Sequence, residues 1–513
     1  MWQAPAMSDP GPLSLLPVLV TLCLALASRN VILGLFAGVC TGVLQLAESA
    51  PWRLLPVVIG EHLVPQVMDR YNAGVLVLLV FIGGFVALVE RSGGAGAFAR
   101  AFAHRLHSRT RVQLGAWAGG IAIFFSDLGT PLIVGPVFRP LADRLKLSRQ
   151  KLALILDATA SPVAILIPFI GWGVYVMGLL RKAFDGEGLA VSEYSAFVAA
   201  IPFQFYAWLA IATIPILALG GRDWGPMAAA ERARARGDTA GFDASAAPED
   251  DRDHAGARAS LVWVPLLAMA VTLLVLLGPS GFPLRPVPGA EFRAGLASAY
   301  LVAALVLVGL SALQGVRRPL ENLAIYLAGM SGMMGVAVTL VLAWTLSDLG
   351  DALGAPAYVS GVLAGSLPPG LLPLLVFLVG AAVSFATGSS WGAFAILIPL
   401  AVPAALALDA PLAVTVAAVL SGGLFGDHAS PISETTILSS TGAGTPQFEH
   451  FRTQMPYATA NGTLAALAFV IAGHLPASGL FLAVLAVQAV AWLLLPAWWA
   501  RRTGERELSA DRP

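Results

Sequence analysis

The run Gly422-Gly-Leu-Phe-Gly-Asp-His-Ala-Ser-Pro-Ile-Ser-Glu-Thr-Thr-Ile-Leu-Ser-Ser-Thr-Gly-Ala-Gly444 decides how this chain folds. It begins as part of an apolar span and turns polar halfway. Asp427, His428, Ser430, Ser433, Glu434, Thr435, Thr436, Ser439, Ser440 and Thr441 crowd around a Ser430-Pro431 helix break. A carboxylate at membrane depth costs roughly 2.5–3.5 kcal/mol unless it is paired or hydrated. Unwound backbone survives in a bilayer only inside protein or beside a wet cavity, because its N–H and C=O groups need partners. A polar break inside an apolar span therefore reads as a site.

Composition places that break in a membrane. Of 513 residues, 57% are hydrophobic and 12% charged, against about 45–50% and about 25% in soluble domains. A soluble chain could not hide so much apolar surface. The 53 Gly and 35 Pro suit interrupted membrane helices. Lys plus Arg and Asp plus Glu both number 30, so nucleic acid has no basic excess to bind. Cys23 and Cys40 lie in apolar stretches and read as buried small hydrophobes, not as a disulfide or metal pair.

Stretches long enough to cross a bilayer lie at roughly 12–28, 30–47, 73–90, 152–180, 196–220, 260–278, 295–313, 321–346, 411–440, 455–473 and 478–498, about eleven crossings. The first lacks the basic start of a signal peptide and reads as a helix. Lys and Arg set the sidedness. Residues 91–111 carry five Arg and no acid, and 139–151 carry Arg139, Arg144, Lys146, Arg149 and Lys151 against Asp143 alone. Both flanks read as cytoplasmic. The intervening 113–138 would give two legs of about 20 Å each, too short to cross about 30 Å. It reads as a re-entrant hairpin turning near Asp127-Leu-Gly-Thr-Pro131. No Lys or Arg lies between Arg318 and Arg452. The same parity argument makes 371–403 a second hairpin, opening to the outside and centred on Phe385-Ala-Thr-Gly-Ser-Ser-Trp-Gly392.

Two halves then match in order and oppose in direction. The first runs span 73–90, piece 92–107, hairpin 113–138, interrupted span 152–180 and span 196–220; the second runs 321–346, 352–366, 371–403, 411–440 and 455–473. Each interrupted span carries Ala-Ser-Pro at its break, Ala160-Ser161-Pro162 and Ala429-Ser430-Pro431, preceded by Asp157 and Asp427. The domains read as N-terminal helices 1–72, a first repeat 73–220, a flexible cytoplasmic linker 221–259 with six Arg and eight acids, connecting helices 260–320, a second inverted repeat 321–475, and a C-terminal helix and tail 476–513. Within the linker, Glu231 to Arg236 reads as solvated. The fold class is an all-α polytopic membrane protein, an inverted repeat with two re-entrant hairpins and two broken helices. That architecture is a transporter signature.

Candidate cation- and proton-binding residues follow from the breaks and hairpin tips: Asp127, Thr130, Asp157, Thr159, Ser161, Thr387, Ser389, Ser390, Asp427, His428, Ser430, Ser433 and Glu434. Carboxylates and hydroxyls are hard oxygen donors suited to Na⁺, with Asp157 and Asp427 as the leading Na⁺ ligands. The same aspartates could instead cap the second half-helices, and Glu434 could sit in the cytoplasmic mouth. Trp492, Trp498 and Trp499 read as an interface anchor.

The Gly426-to-Thr436 run, with Asp157-Ala-Thr-Ala-Ser-Pro162 and Ala386-Thr-Gly-Ser-Ser-Trp-Gly392, resembles the NhaC family of Na⁺/H⁺ antiporters over roughly residues 70–500. The chain departs from that pattern in carrying His428 where Lys is frequent and Glu434 where Asp is frequent. The resemblance implies a homodimer in the inner (plasma) membrane that moves a transport domain against a scaffold. It implies no cofactor beyond the transported Na⁺ and H⁺, and no partner beyond lipid and a small cation. The reading is a secondary transporter, not an enzyme. It would exchange Na⁺ for protons by alternating access or, alternatively, carry a small organic acid or amino acid coupled to Na⁺ or H⁺. No Gly-x-x-x-x-Gly-Lys-Ser/Thr loop is present, which disfavours an ATP-driven pump.

Overall fold

The computed structural model describes residues 11–46, 51–94, 96–97, 106–237, 256–282, 287, 289–355, 358, 361 and 367–503. Among these there are helices and no strands. Seven helices are long and apolar enough to cross a membrane, or eight when one bent pair counts as a single span. Shorter apolar helices accompany them. The expected pieces 92–107 and 352–366, and linker residues 238–255, lie largely outside the described residues.

The chain opens with α1 (Leu16–Ser28) and α2 (Val31–Leu46), turned back on one another at Arg29, which takes a left-handed φ of 56°. Cys23 on α1 is exposed rather than buried, which in a bilayer means lipid-facing. An apolar helix that the sequence reading did not separate, α3 (Leu54–Met68), follows. Glu61, His62 and Pro65 interrupt its hydropathy. Then comes α4 (Arg70–Arg91), capped by Asp69, whose carboxylate accepts from the Tyr71 and Asn72 amides.

The first hairpin is α5 (Arg109–Ala122) and α6 (Gly129–Arg144); it turns through Ile123–Leu128, ahead of the expected Asp127–Pro131, so that Gly129, Thr130 and Pro131 open the return leg. Its legs of 14 and 16 residues reach about 21 and 24 Å. The first broken helix is α7 (Arg149–Ala158), a single turn α8 (Ser161–Ala164) and α9 (Gly171–Gly186). The expected span 196–220 is two helices, α10 (Glu193–Ala200) and α11 (Phe205–Gly220), bent by 48° at Gln204. Pro202 begins the bend by removing a backbone donor.

The linker does not begin as flexible coil. Its first part forms α12 (Gly225–Ala235), strapped across the basic end of the first hairpin. Glu231 pairs with Arg109 and accepts from the Ser148 amide at 2.8 Å. Arg234 reaches Asp143 at 3.3 Å, and the buried Lys151 pairs with Asp223 at 2.5 Å. Glu231 and Arg234 are therefore docked rather than solvated. Burial raises the Glu231 carboxyl above its ordinary value, as does nearby Asp223, while Arg109 opposes them.

Connecting helices α13 (Ser260–Leu277) and α14 (Gly289–Leu313) lead to α15 (Pro319–Gly332) and α16 (Met334–Ala352), a 34-residue apolar stretch longer than the expected span 321–346. The second hairpin is α17 (Leu372–Thr387) and α18 (Ser390–Ala407), broken at Gly388 with φ 66°. It ends four residues beyond the expected 403, and, unlike the first, both its legs are among the seven helices long and apolar enough to cross a membrane, so leg length does not make it re-entrant. The second broken helix is α19 (Leu412–His428) and α20 (Glu434–Ala443). The chain closes with α21 (Gln447–His474) and α22 (Leu480–Thr503).

Packing crosses between the halves. The return leg α6 lies on the first part of its own broken helix, α7, and on the second part of the other, α20; α18 likewise lies on α19 and α9. That exchange is the pattern two inverted repeats would produce. A buried amide network joins α11, α21 and α22. In it Asn461 donates to the Thr213 hydroxyl at 2.9 Å, and Gln488 donates to Asn461 and Thr213 at 2.9 Å. Trp492 is not an interface anchor: it is buried and packs on Trp224 and Tyr457.

Parity around the first hairpin generates a prediction. With Cys23 and Cys40 replaced, single cysteines at Arg111 and at Arg144, both exposed, should react with an impermeant thiol reagent from the same side of sealed vesicles. Reaction from opposite faces would refute the hairpin.

Candidate functional site

Both broken helices stop at an aspartate. Asp157 is the penultimate residue of α7, and Asp427 precedes the last residue of α19. Each carboxylate therefore sits at the negative end of a helix dipole, where an anion is disfavoured. Neither serves as the N-cap of the following half-helix. Ala160 precedes α8 and Ser433 precedes α20, each without a side-chain cap bond. An uncapped carboxylate at that end needs donors from elsewhere in the fold.

Asp157, 1% exposed, finds them on α21. Gln454 Nε2 donates to Asp157 Oδ2 at 2.6 Å, and His450 Nε2 lies 3.4 Å from the same oxygen. His428 Nε2 approaches from α19 at 3.5 Å, an electrostatic contact more than a hydrogen bond. The other ring nitrogen of His428 is 2.8 Å from the Tyr206 hydroxyl on α11. Gln454 Nε2 also donates to the His428 carbonyl at 2.7 Å. One amide thus ties the first broken helix to the second. Asp157 Oδ1 remains buried without a protein partner, as do Ser161 Oγ, Thr436 Oγ1, Ser439 Oγ and Gln454 Oε1. All of these are oxygens on the elements around the breaks.

Asp427 has a different environment. Ser390 Oγ, at the start of α18, donates to Asp427 Oδ2 at 2.9 Å. The second hairpin tip is fastened to the break by Ser430, whose hydroxyl donates to the Phe385 carbonyl at 2.8 Å. Gly388 makes this approach possible, since a Cβ there would stand 2.8 Å from the Ile432 carbonyl oxygen. Asp127, at the tip of the first hairpin, is half-buried, and both it and Asp157 lie within electrostatic reach of Asp427.

Other sequence candidates separate into local and site roles. Thr130 donates to the Ile123 and Ser126 carbonyls, Thr159 to those of Ile155 and Leu156, and Thr387 to that of Val383. Ser389 caps α18 through the Gly392 amide. Ser433 shares a hydrogen bond with the Thr435 hydroxyl at 3.0 Å. Glu434 is exposed, in the first turn of α20, within electrostatic reach of Asp127. His450, Gln454 and Tyr206 escaped the sequence reading. The sequence puts the polar stretch 447–454 ahead of the span at 455–473, whereas α21 begins at Gln447 and places His450 and Gln454, four apart, on one helical face. The C-terminal end of α20 is held by cations, as expected for a helix C-terminus. Arg139 donates to the carbonyls of Thr441 and Gly442, and Arg149 to that of Gly444.

Residues 163–474 match the model of the Na⁺/H⁺ antiporter family. An uncharacterized protein of Haemophilus influenzae is 30% identical over 486 residues, 90% of each chain. The Malate-2H(+)/Na(+)-lactate antiporter of Bacillus subtilis is 28% identical over 107 residues, 21% of this chain and 23% of that protein. Among solved structures, the YdaH transporter of Alcanivorax borkumensis aligns with a TM-score of 0.52 at 17% identity, over 96% of this chain and 99% of its own. The likeness in fold therefore extends over nearly the whole molecule.

The Gln454 bridge yields a stability prediction. Gln454→Leu removes the donor to a buried carboxylate and to an unwound carbonyl, at about 1–3 kcal/mol for each group left unpaired. A fall of several degrees in thermal unfolding in detergent is expected. An unchanged midpoint would show that Gln454 does not hold the breaks together.

Proposed function

The chain belongs to the Na⁺/H⁺ antiporter family, a multi-pass secondary transporter of the plasma membrane, and we propose that it exchanges Na⁺ for protons at the two buried aspartates. The observation that carries this reading is Asp157: fully buried, at the unfavourable end of its helix, with Oδ1 unpartnered. A buried carboxylate with one oxygen left unsatisfied is costly. It is relieved by binding either a cation or a proton, and both relieve the same charge. Two ions that neutralise one site exclude each other, which is the elementary requirement for exchange. Alternating access of that site to the two membrane faces then couples the two gradients without ATP.

Oxygen donors support Na⁺ as the cargo. Ser161, Thr436, Ser439 and the free oxygen of Asp157 are hard ligands, and Ser390 can turn its lone pairs toward a cation bound at Asp427. No Lys or Arg lies between 319 and 451 to attract an anion. A homodimer in which one domain moves against another belongs to the same proposal.

A second reading has its own observation. His428, His450 and Gln454 supply N–H groups beside Asp157, and such donors suit a carboxylate substrate. The Bacillus relative is named as an organic-acid antiporter. Proteoliposomes separate the two: Na⁺ alone dissipating an imposed ΔpH supports the first, and a requirement for malate or lactate supports the second.

Two predictions follow from carboxylate exchange. Asp427→Asn keeps size and hydrogen bonding but removes the charge; it should reach the membrane and lose Na⁺-driven proton movement. Wild-type rates in that variant would reduce Asp427 to a structural residue. Direct competition also requires apparent Na⁺ affinity to rise with pH, approaching roughly tenfold per pH unit for each proton displaced. Half-saturation measured from about pH 5.5 to about pH 9 tests this. A flat profile would exclude competition for a shared carboxylate.

A further inference from the structure

A carboxylate outside the two breaks meets the first hairpin at its tip. Glu90, the penultimate residue of α4, stands beside Arg91, where a span would normally turn its polar side chains to water. Instead it points inward. The Ser126 hydroxyl donates to Glu90 Oε1, and Ser126 Oγ in turn accepts from the Gly129 amide at 2.8 Å. Gly129 is the first residue of α6, a helix of 16 residues, so the Glu90 carboxylate faces a helix N-terminus, where a negative charge is favoured.

The approach depends on a missing side chain. A Cβ on Gly129 would lie 2.5 Å from Glu90 Oε1 and 2.8 Å from Ser126 Oγ. Carboxylate, serine and glycine therefore form one fitted contact. Between Ser126 and Gly129 lie Asp127 and Leu128. The turn carrying Asp127 is further wound on itself by Thr130, whose hydroxyl and amide both bond the Ser126 carbonyl, at 2.7 and 3.1 Å. What holds Ser126 thus fixes where Asp127 stands relative to Asp427.

We propose that Glu90 is a positioning residue for the cation site: it fastens the tip of the first hairpin to α4 and so presents Asp127 toward the Asp427 break. This rests on the cation-exchange reading for the role of Asp127, but the fastening itself does not. Glu90 binds no cargo. It acts through Ser126, with its charge set against the start of α6.

The test uses full-length protein and three forms, wild type, Glu90→Ala and Glu90→Gln. Hydrogen–deuterium exchange of the amides at 126–130 reports the fastening. Glu90→Ala should raise it roughly tenfold over this segment only, and Glu90→Gln, whose side-chain carbonyl still accepts from Ser126, should restore most of the protection. Exchange at 126–130 that is unchanged in Glu90→Ala overturns the proposal. In proteoliposomes, the half-saturating Na⁺ concentration should rise roughly tenfold in Glu90→Ala, with a maximal rate within about twofold of wild type. Glu90→Gln should fall between. A loss confined to maximal rate or to protein yield would mean that Glu90 supports only the fold, and would overturn the positioning role. If wild-type protein itself moves no protons in response to Na⁺, the exchange reading fails, and the amide protection alone decides whether Glu90 holds the tip.

Discussion

One side-chain amide holds the two halves of the site together. Gln454 Nε2 has two hydrogens, and the fold uses both: one on Asp157 of the first broken helix, the other on the unwound His428 carbonyl of the second. A helix that stops inside a membrane leaves carbonyls without intrahelical partners. Two such helices meeting face to face leave two sets. A residue from a third, continuous helix that satisfies one group from each fixes their separation as well as their energy. The hairpins, the arginines on the end of α20 and the strap across the open end of the first hairpin are arranged around that fixed point.

The strap shows the same economy at the aqueous end. Arg109 and Asp143 stand near opposite ends of the first hairpin, and Ser148 and Lys151 begin the broken helix that follows it. Helix α12 touches them all through Glu231, Arg234 and the adjoining Asp223. Buried Lys151 is costly alone and acceptable only with its acid partner. A hairpin with legs too short to cross the bilayer cannot be anchored on the far side, so it must be held at its open end. Here the holding segment comes from the stretch immediately after α11.

How much of this was legible in the sequence differs by kind of signal. The hairpin tips and helix breaks were legible because Gly, Ser and Pro interrupt apolar runs at Asp127–Pro131, Ser161–Pro162, Gly388–Ser389 and Ser430–Pro431, and a helix ends or restarts within a few residues of each. Asp427 and Ser390 were placed among site residues and do meet. What the sequence hides is partnership across the fold. His450 and Gln454 look like the polar approach to a span until α21 is seen to begin at Gln447, which lines them up on one face. Glu90 reads as the wet end of α4. Glu231 and Arg234 read as solvated linker because acids follow them, and composition cannot show that a helix docks. Trp492 lies near a chain end rich in Trp and Arg, which suggests a bilayer interface; only packing against Trp224 and Tyr457 places it inside.

Matching breaks do not make the two aspartates equivalent. Asp157 is surrounded by nitrogen donors, and an N–H group can satisfy a carboxylate but cannot share a cation with it. Oδ2 is therefore committed to Gln454 and the imidazoles, and Oδ1 alone is free. Asp427 faces a hydroxyl, which donates to a bare carboxylate and can offer a lone pair once a cation arrives. Matching backbone breaks thus carry different chemistry because their partners come from unmatched elements: α21 for the first, the second hairpin tip for the second. The paired breaks position two carboxylates close enough to sense one another, and the different residues packed on each set what each can bind.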